Sequence, residues 1–123
     1  MTALTLEKLT IDRFAESEIE GITGTVLIKH FPDDHVDLTF EVSETESVAM
    51  TLQRSDLQKL VVILRQLKEG ETQPFIAGRS GVNITIIGIL TQFEAYDITT
   101  EHVKRIVQVE NEKVREIIDY LEI

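Results

Sequence analysis

The chain contains no cysteine and no tryptophan among its 123 residues. Without cysteine there are no disulfides, no thiolate nucleophiles and none of the cysteine ligands used by most structural zinc sites. This composition fits a reducing compartment. Proline is also rare, since only Pro32 and Pro74 occur, and each is expected to mark a connection between regular elements.

Long hydrophobic runs are missing as well. No apolar stretch approaches the roughly 20 residues that a membrane-spanning helix needs. The first residues, MTALTLEKLTIDRF, have no basic start and no continuous apolar segment, which argues against a secretory signal. Because 42% of the residues are hydrophobic, a core can still form, and we expect one cytoplasmic domain over residues 1–123.

Positive charge is scarce. Lys and Arg number 12 against 22 Asp and Glu, which gives a formal net charge of −10. Nucleic-acid and anionic-membrane binding both depend on basic side chains, so this balance argues against either partner. Residues 1–50 carry eleven acids and three bases, whereas residues 51–123 carry eleven and nine. The acidic first half is explained either by solubility or by contact with a basic protein.

Alternating apolar and polar residues predict several strands in the first half. In VDLTFEV, residues 36–42, every second side chain is apolar, which indicates a strand with one buried face. SVAMTLQ at 47–53 repeats the pattern, and the SETE between them predicts a hairpin. GTVLIKHF at 24–31 predicts a strand, as does LTLEKLTI at 4–11 with a break in its centre.

The hydrophobic period becomes helical after residue 54. Apolar side chains at 57, 60, 61, 64 and 67 form one stripe. Val62 and Ile63 widen this stripe, so we expect the helix to be buried on more than one side. Ser55 is the expected N-cap, Gln58 completes a capping box, and Gly70 is expected to end the helix.

The second half predicts further strands and a terminal helix. VNITIIGIL at 82–90 indicates a central strand with a possible bulge at Gly88, and TQFEAYDI at 91–98 indicates its antiparallel return. The last residues form either one long helix or a strand, KRIVQVE, followed by a helix capped by Asn111. The β-branched residues and the capping preference of Asn favour the second interpretation.

These elements together predict an α+β fold. We expect a mostly antiparallel sheet with two helices, about 55–69 and 111–122, packed on one face.

The stretch HFPDDH places two histidines around two aspartates. A metal site would use His30, His35 and one aspartate. A turn would use Pro32 to set one backbone dihedral and Asp33 and Asp34 to bind nearby backbone groups. The spacing matches no structural metal pattern and strands flank it, so the turn is favoured, and we expect no metal and no cofactor.

No stretch carries a catalytic signature. GRSG at 78–81 could cradle an anion with the help of Arg79, but it is too short for a P-loop and lacks the lysine, so a β-turn is favoured. No G-x-S-x-G elbow occurs. Abundant carboxylates in an acidic protein are weak evidence for glycosidase chemistry. We therefore expect that the chain is not an enzyme.

Acidic residues recur at every second position in AESEIEG. If this stretch is extended, its three glutamates share one face, where a cationic partner would relieve their repulsion. The alternative is a solvated edge strand whose charge blocks aggregation. The predicted partner-binding residues are Glu16, Glu18, Glu20, Asp33, Asp34 and Asp37.

The order of elements over residues 36–123 resembles that of small immunity proteins of bacterial polymorphic toxin systems, of the wall-associated-toxin immunity type. The resemblance comprises a hairpin, SDLQKLVVILRQLKEGE, PFIAG, two β segments and IVQVENEKVREIIDYLEI. It implies a non-enzymatic inhibitor, bacterial or phage in origin, that plugs a toxin domain. Such toxins are often basic nucleases.

The favoured function is therefore that of an acidic protein that neutralises a basic protein partner, as an immunity or anti-defence inhibitor. One alternative is a homo-oligomeric structural or assembly protein of a phage or mobile element, and a homodimer is one such form. A second alternative is a small-ligand or nucleotide-binding protein that uses GRSG as an anion site.

Overall fold

The computed structural model describes residues 15–100 and 103–122. The strand predicted at 4–11 lies outside these residues. The described strands are β1 Ala15–Glu20, β2 Thr25–His30, β3 Val36–Ser43, β4 Glu46–Leu52, β5 Thr72–Ala77, β6 Ser80–Ile87, β7 Leu90–Asp97 and β8 Lys104–Glu110. The described helices are α1 Arg54–Gln66 and α2 Asn111–Leu121.

The described strands form two antiparallel sheets of four. Their orders are β1-β2-β3-β4 and β5-β6-β7-β8, so each sheet is a meander of hairpins. The predicted α+β fold with antiparallel strands and two helices is confirmed. The structure adds that the strands divide into two sheets, and the division falls where the 13 residues of α1 interrupt the succession of hairpins.

The two sheets share one hydrophobic core. Alternate side chains of β3, namely Val36, Leu38 and Phe40, are buried as the sequence pattern predicted. The rings of Phe40 in the first sheet and Phe93 in the second stack with 5.3 Å between their centroids. The inner faces therefore bury each other, and the outer faces are left for solvent or partners.

Both helices pack through an apolar stripe, as predicted, but the expectation that α1 is buried on more than one side is wrong for Val62, which is 49% exposed. The two helices contact each other, α1 contacts β4 and β5, and α2 contacts strands of both sheets. Their buried side chains are Leu60, Val61 and Leu64 of α1 and Val114, Ile117, Ile118 and Leu121 of α2.

The ends of α1 differ from the prediction. The N-cap is Gln53 instead of Ser55. The Gln53 amide donates a 3.0 Å hydrogen bond to the carboxylate of Asp56, which takes the role that the sequence assigned to Gln58. The helix also ends three residues early, so Gly70, with φ +84°, lies in the turn before β5 rather than at the helix stop.

The C-terminal region contains a strand and then a helix, so the favoured interpretation of the last residues is confirmed. Asn111 is the first helical residue, while the N-cap position belongs to Glu110. The side-chain Nδ2 of Asn111 donates to the carbonyl of Gly88 at 2.9 Å, and its Oδ1 accepts from the Thr91 hydroxyl at 2.8 Å. Asn111 thus fixes the start of α2 to the turn between β6 and β7.

Gly88 lies in that hairpin turn and not in a bulge. The ladder closes at the pair Ile87 and Leu90, so Gly88 and Ile89 form a two-residue loop. Gly88 has φ +61°, whereas Ile89 is outside the left-handed region, which is the pattern of a type II′ turn. The first loop residue of such a turn has a positive φ, which favours glycine. Gly88 therefore marks a reversal of the chain and not a bulge.

The turn between β1 and β2 covers the outer edge of β8. The Ile22 amide donates to the carbonyl of Gln108 at 2.7 Å, and the Thr23 hydroxyl accepts from the Gln108 amide at 2.9 Å. A Cβ on Gly21 would lie 2.6 Å from the same carbonyl oxygen, so only glycine permits this approach. One edge of the second sheet is therefore covered, and β5 forms the other edge.

Candidate functional site: the acidic outer face of the first sheet

The outer face of the first sheet concentrates acidic side chains. Residues directly opposite each other in antiparallel strands lie on the same face. Row by row, the register places there Glu16, Lys29, Asp37 and Thr51, then Glu18, Leu27, Thr39 and Ala49, then Glu20, Thr25, Glu41 and Ser47. We call this surface the acidic face. It holds five carboxylates and one lysine, so its formal charge is −4.

Strand β1 supplies three of the five carboxylates. Ile19 is only 3% exposed and faces the core, while the glutamates on either side of it are exposed. As predicted, Glu16, Glu18 and Glu20 share one face, with about 6.8 Å between successive positions from the rise of a strand. The buried Ile19 therefore fixes the direction in which all three point.

Only part of this charge is neutralised within the face. The ammonium of Lys29 lies 3.5 Å from the carboxylate of Glu16. Within residues 15–100 and 103–122, three carboxylates of the face form no ion pair, those of Glu18, Glu20 and Glu41. Like charges held on one rigid sheet repel each other, so a cationic partner would lower the free energy of this surface.

Asp33 and Asp34 lie in the loop that joins β2 to β3. The Phe31 amide donates to the carbonyl of His35 at 3.0 Å, and the Asp34 amide donates to the carbonyl of Phe31 at 3.1 Å. Asp34 has φ +71°, a left-handed conformation that aspartate tolerates better than most residues. The predicted turn at HFPDDH is therefore confirmed.

His35 connects this loop to the acidic face. Its Nδ1 donates to the carboxylate of Asp33, and its Nε2 lies 3.9 Å from that of Asp37. Desolvation raises the pKa of Asp33, but hydrogen bonds from the side chain and backbone of His35, together with its charge, outweigh this and hold the pKa below its ordinary value. Asp33 thus carries its charge at neutral pH.

The structure brings most of the predicted binding residues together. Four of the six lie on the acidic face, and Asp33 and Asp34 lie in the adjoining loop. The prediction omitted Glu41, although its alternation with Asp37 already placed it on the same side of β3. It also omitted Lys29, which reduces the charge at the Glu16 end of the face.

The two histidines of HFPDDH point to different partners. His30 donates from Nε2 to the carbonyl of Tyr120 in α2. The ring of His35 stacks on that of Phe31 with 4.4 Å between centroids. In the part of the chain that the structure describes, no group of three or more His, Cys, Asp or Glu side chains is arranged to hold a metal ion. This stretch therefore acts as a turn that also ties β2 to α2.

The GRSG stretch forms the hairpin between β5 and β6, so the turn interpretation is confirmed. Gly78, with φ +63°, and Arg79 are its two loop residues. Ser80 is buried, and its hydroxyl donates to the carbonyl of Ala49 at 2.9 Å. The serine thus joins the second sheet to β4 of the first.

The described residues therefore form an antiparallel α+β protein whose first sheet has an acidic outer face. No family model, curated protein or solved structure matches this chain. Among the helices that the structure describes, none combines the length and the apolar character needed to cross a bilayer. Carboxylates at fixed spacing form ion pairs with Lys and Arg and accept hydrogen bonds from them.

Proposed function

We propose that this chain is a non-enzymatic binding protein that neutralises a basic protein partner, as an immunity or anti-defence inhibitor does. The observation that carries the proposal is the acidic face, where five carboxylates and one lysine stand on one sheet. A sheet holds the backbone positions of these groups at fixed spacing, so little backbone freedom is lost when a partner binds.

The mechanism is electrostatic attraction followed by blockade. The negative potential of the face accelerates encounters with a cationic surface, and salt screens this effect. Leu27 and Ala49 lie in the middle row of the face between Glu18 and the edge of β4. With Thr39 between them they form an uncharged centre for a docked partner, and the carboxylates form its charged rim.

Two features of the sequence support the inhibitor form of this proposal. The element order over residues 36–123 resembles that of small immunity proteins that plug bacterial toxin domains. Such toxins are often basic nucleases, and a chain with a net charge of −10 is complementary to them. A bacterial or phage origin and a cytoplasmic location belong to the same proposal.

The proposal requires that a neighbouring open reading frame encode a basic toxin domain, and the test compares association rates with that domain. The triple variant Glu16→Lys, Glu18→Lys, Glu20→Lys reverses the charge of β1 while leaving the buried Ile19 in place. At low salt we expect association to slow by about tenfold or more, and the salt dependence of the rate to flatten. Stopped-flow fluorescence at several ionic strengths measures both.

A charge-matched control separates the face from the net charge. Glu69, Glu116 and Asp119 are exposed and lie outside the acidic face, and their replacement by lysine changes the net charge by the same amount. This control should slow association much less than the β1 variant. Equal slowing by the two variants would show that the acidic face is not the contact surface.

A further inference from the structure

A groove lies between α1 and the outer edge of β5. Its volume is about 590 Å³. Four consecutive residues of β5, from Gln73 to Ile76, line one side, and the other side is lined by five residues of α1, namely Ser55, Gln58, Lys59, Val62 and Ile63. Because successive side chains of a strand point to opposite faces, a groove lined by consecutive residues runs along the edge of the strand itself.

Among the described residues, none pairs with the backbone of β5 on this side. β5 is the terminal strand of the second sheet, and within the described residues its only ladder is with β6. The other terminal strand, β8, has the turn at residues 21–24 against its edge. An open edge presents a row of N–H and C=O groups to which another extended segment can bond.

The register shows which groups of β5 point into the groove. The Ile86 amide donates to the carbonyl of Glu71 at 3.3 Å, and bonded positions alternate along an antiparallel ladder. The backbone groups of residues 71, 73, 75 and 77 therefore bond to β6. The backbone groups of Thr72, Pro74 and Ile76 point away from β6, towards the groove. The prediction that Pro74 marks a connection is wrong, since it lies within β5. It fits an outward position there because proline has no N–H to give to a ladder. The open donors are the amides of Thr72 and Ile76.

The groove is lined by five apolar residues, by the polar side chains of Ser55, Gln58 and Gln73, and by one positive charge. Val62 is 49% exposed and Ile76 is 56% exposed, while Phe75 is 5% exposed and forms the base. Lys59 is the one charged residue among those that line the groove, and among the described residues it forms no ion pair. In a chain with a net charge of −10, this is a place where a carboxylate is attracted.

We propose that this groove binds an extended segment of another protein, which adds to the free edge of β5. The segment places an apolar side chain against Val62 and Phe75 and a carboxylate beside Lys59, in the manner of strand-addition recognition. Pro74 removes one donor from the edge, and its carbonyl accepts a 3.4 Å hydrogen bond from the side chain of Gln73, which a bound segment would have to displace. This site is separate from the acidic face and does not depend on the function proposed for that face.

The test selects linear peptides from a phage-displayed library against the full chain and measures their affinity by fluorescence anisotropy. Lys59→Glu and Val62→Glu each alter an exposed groove side chain and leave the core intact. We expect either change to weaken the selected peptides by about tenfold or more, because each removes one of the two attractions. The matched control is Ile89→Glu, an exposed isoleucine in the β6–β7 turn, which should bind as the wild type does.

Hydrogen exchange distinguishes strand addition from side-chain docking. Bound peptide should protect the amides of Thr72 and Ile76, which have no ladder partner within residues 15–100 and 103–122. The proposal is overturned if selection yields no peptide, if the selected peptides bind both groove variants as tightly as the wild type, or if those two amides exchange unchanged. It is also overturned if Val62→Glu lowers the mass of the free chain in light scattering, since a second copy would then be the occupant.

Discussion

The carboxylate of Asp97 accepts two hydrogen bonds from Thr99 in the short turn after β7. The Thr99 amide donates at 2.8 Å and its hydroxyl at 2.5 Å. These bonds, the hydroxyl one first, outweigh desolvation and hold the pKa of Asp97 below its ordinary value, with a smaller effect from the charge of Arg79. Since the folded pKa is the lower one, ionised Asp97 stabilises the fold above its unfolded pKa, and this contribution is lost as pH falls through the folded pKa.

Replacement of Thr99 by valine tests this account at the residue scale. Thr99→Val removes the hydroxyl and keeps the backbone amide, so we expect the pKa of Asp97 to rise part of the way towards its ordinary value. Carboxyl carbon shifts followed by NMR over the acidic range measure the change. Asp33, whose low pKa depends on His35, serves as the control in the same titration. An unchanged pKa at Asp97 would show that the hydroxyl is not its cause.

The junction between α2 and the β6–β7 turn depends on one side chain. Asn111 accepts from the hydroxyl of Thr91, which is 3% exposed, and donates to the carbonyl of Gly88. The backbone N–H of Asn111 also donates to the carbonyl of Ile89 at 2.9 Å. Loss of the side chain therefore leaves a buried hydroxyl without its acceptor, which is costlier than the loss of an exposed hydrogen bond.

We expect Asn111→Ala to lower the free energy of unfolding by about 1–3 kcal/mol, the usual cost of an unsatisfied buried group. Asn111→Asp keeps an oxygen for Thr91 but loses the donor to Gly88, so its effect should be smaller. Urea denaturation followed by circular dichroism measures both variants. If alanine and aspartate have equal effects, the buried hydroxyl is not the main contributor.

Element types were predictable from the sequence because burial imposes a period on it. Residues 36–42 alternate strictly, and β3 forms there with its apolar side inward. KRIVQVE and the helix after it were likewise placed correctly. The capping residues were not, because the ends of α1 and α2 are set by contacts that periodicity does not contain. Ser55 and Asn111 are both good N-caps in isolation, yet neighbouring residues hold those positions.

The candidate site was predictable in part for the same reason. Alternation put the glutamates of β1 on one face, and the alternation of β3 put Asp37 there too. The division into two sheets was not visible, since strand pairing beyond adjacent hairpins leaves no periodic trace in a sequence. The groove beside β5 was missed because its two walls, α1 and β5, are brought together only by the tertiary fold.

At the scale of the whole molecule, one core joins the two sheets. Buried side chains of both sheets and both helices form a single cluster, in which Phe40 of the first sheet meets Phe93 of the second. α2 contacts strands of both sheets. If one sheet unfolded, the apolar inner face of the other would be exposed to water. The prediction of a single domain therefore implies one cooperative unfolding transition.

Replacement of Phe40 by alanine tests this cooperativity. Phe40 is 1% exposed, so we expect Phe40→Ala to lower the free energy of unfolding by about 3–5 kcal/mol. Far-ultraviolet circular dichroism and the fluorescence of Tyr96 and Tyr120 should shift together, because those tyrosines lie in the second sheet and in α2. Leu27→Ala, on the outer face of the same sheet, is the control and should have a much smaller effect. A tyrosine transition that stays in place while the dichroism transition moves would mean that the two sheets unfold independently.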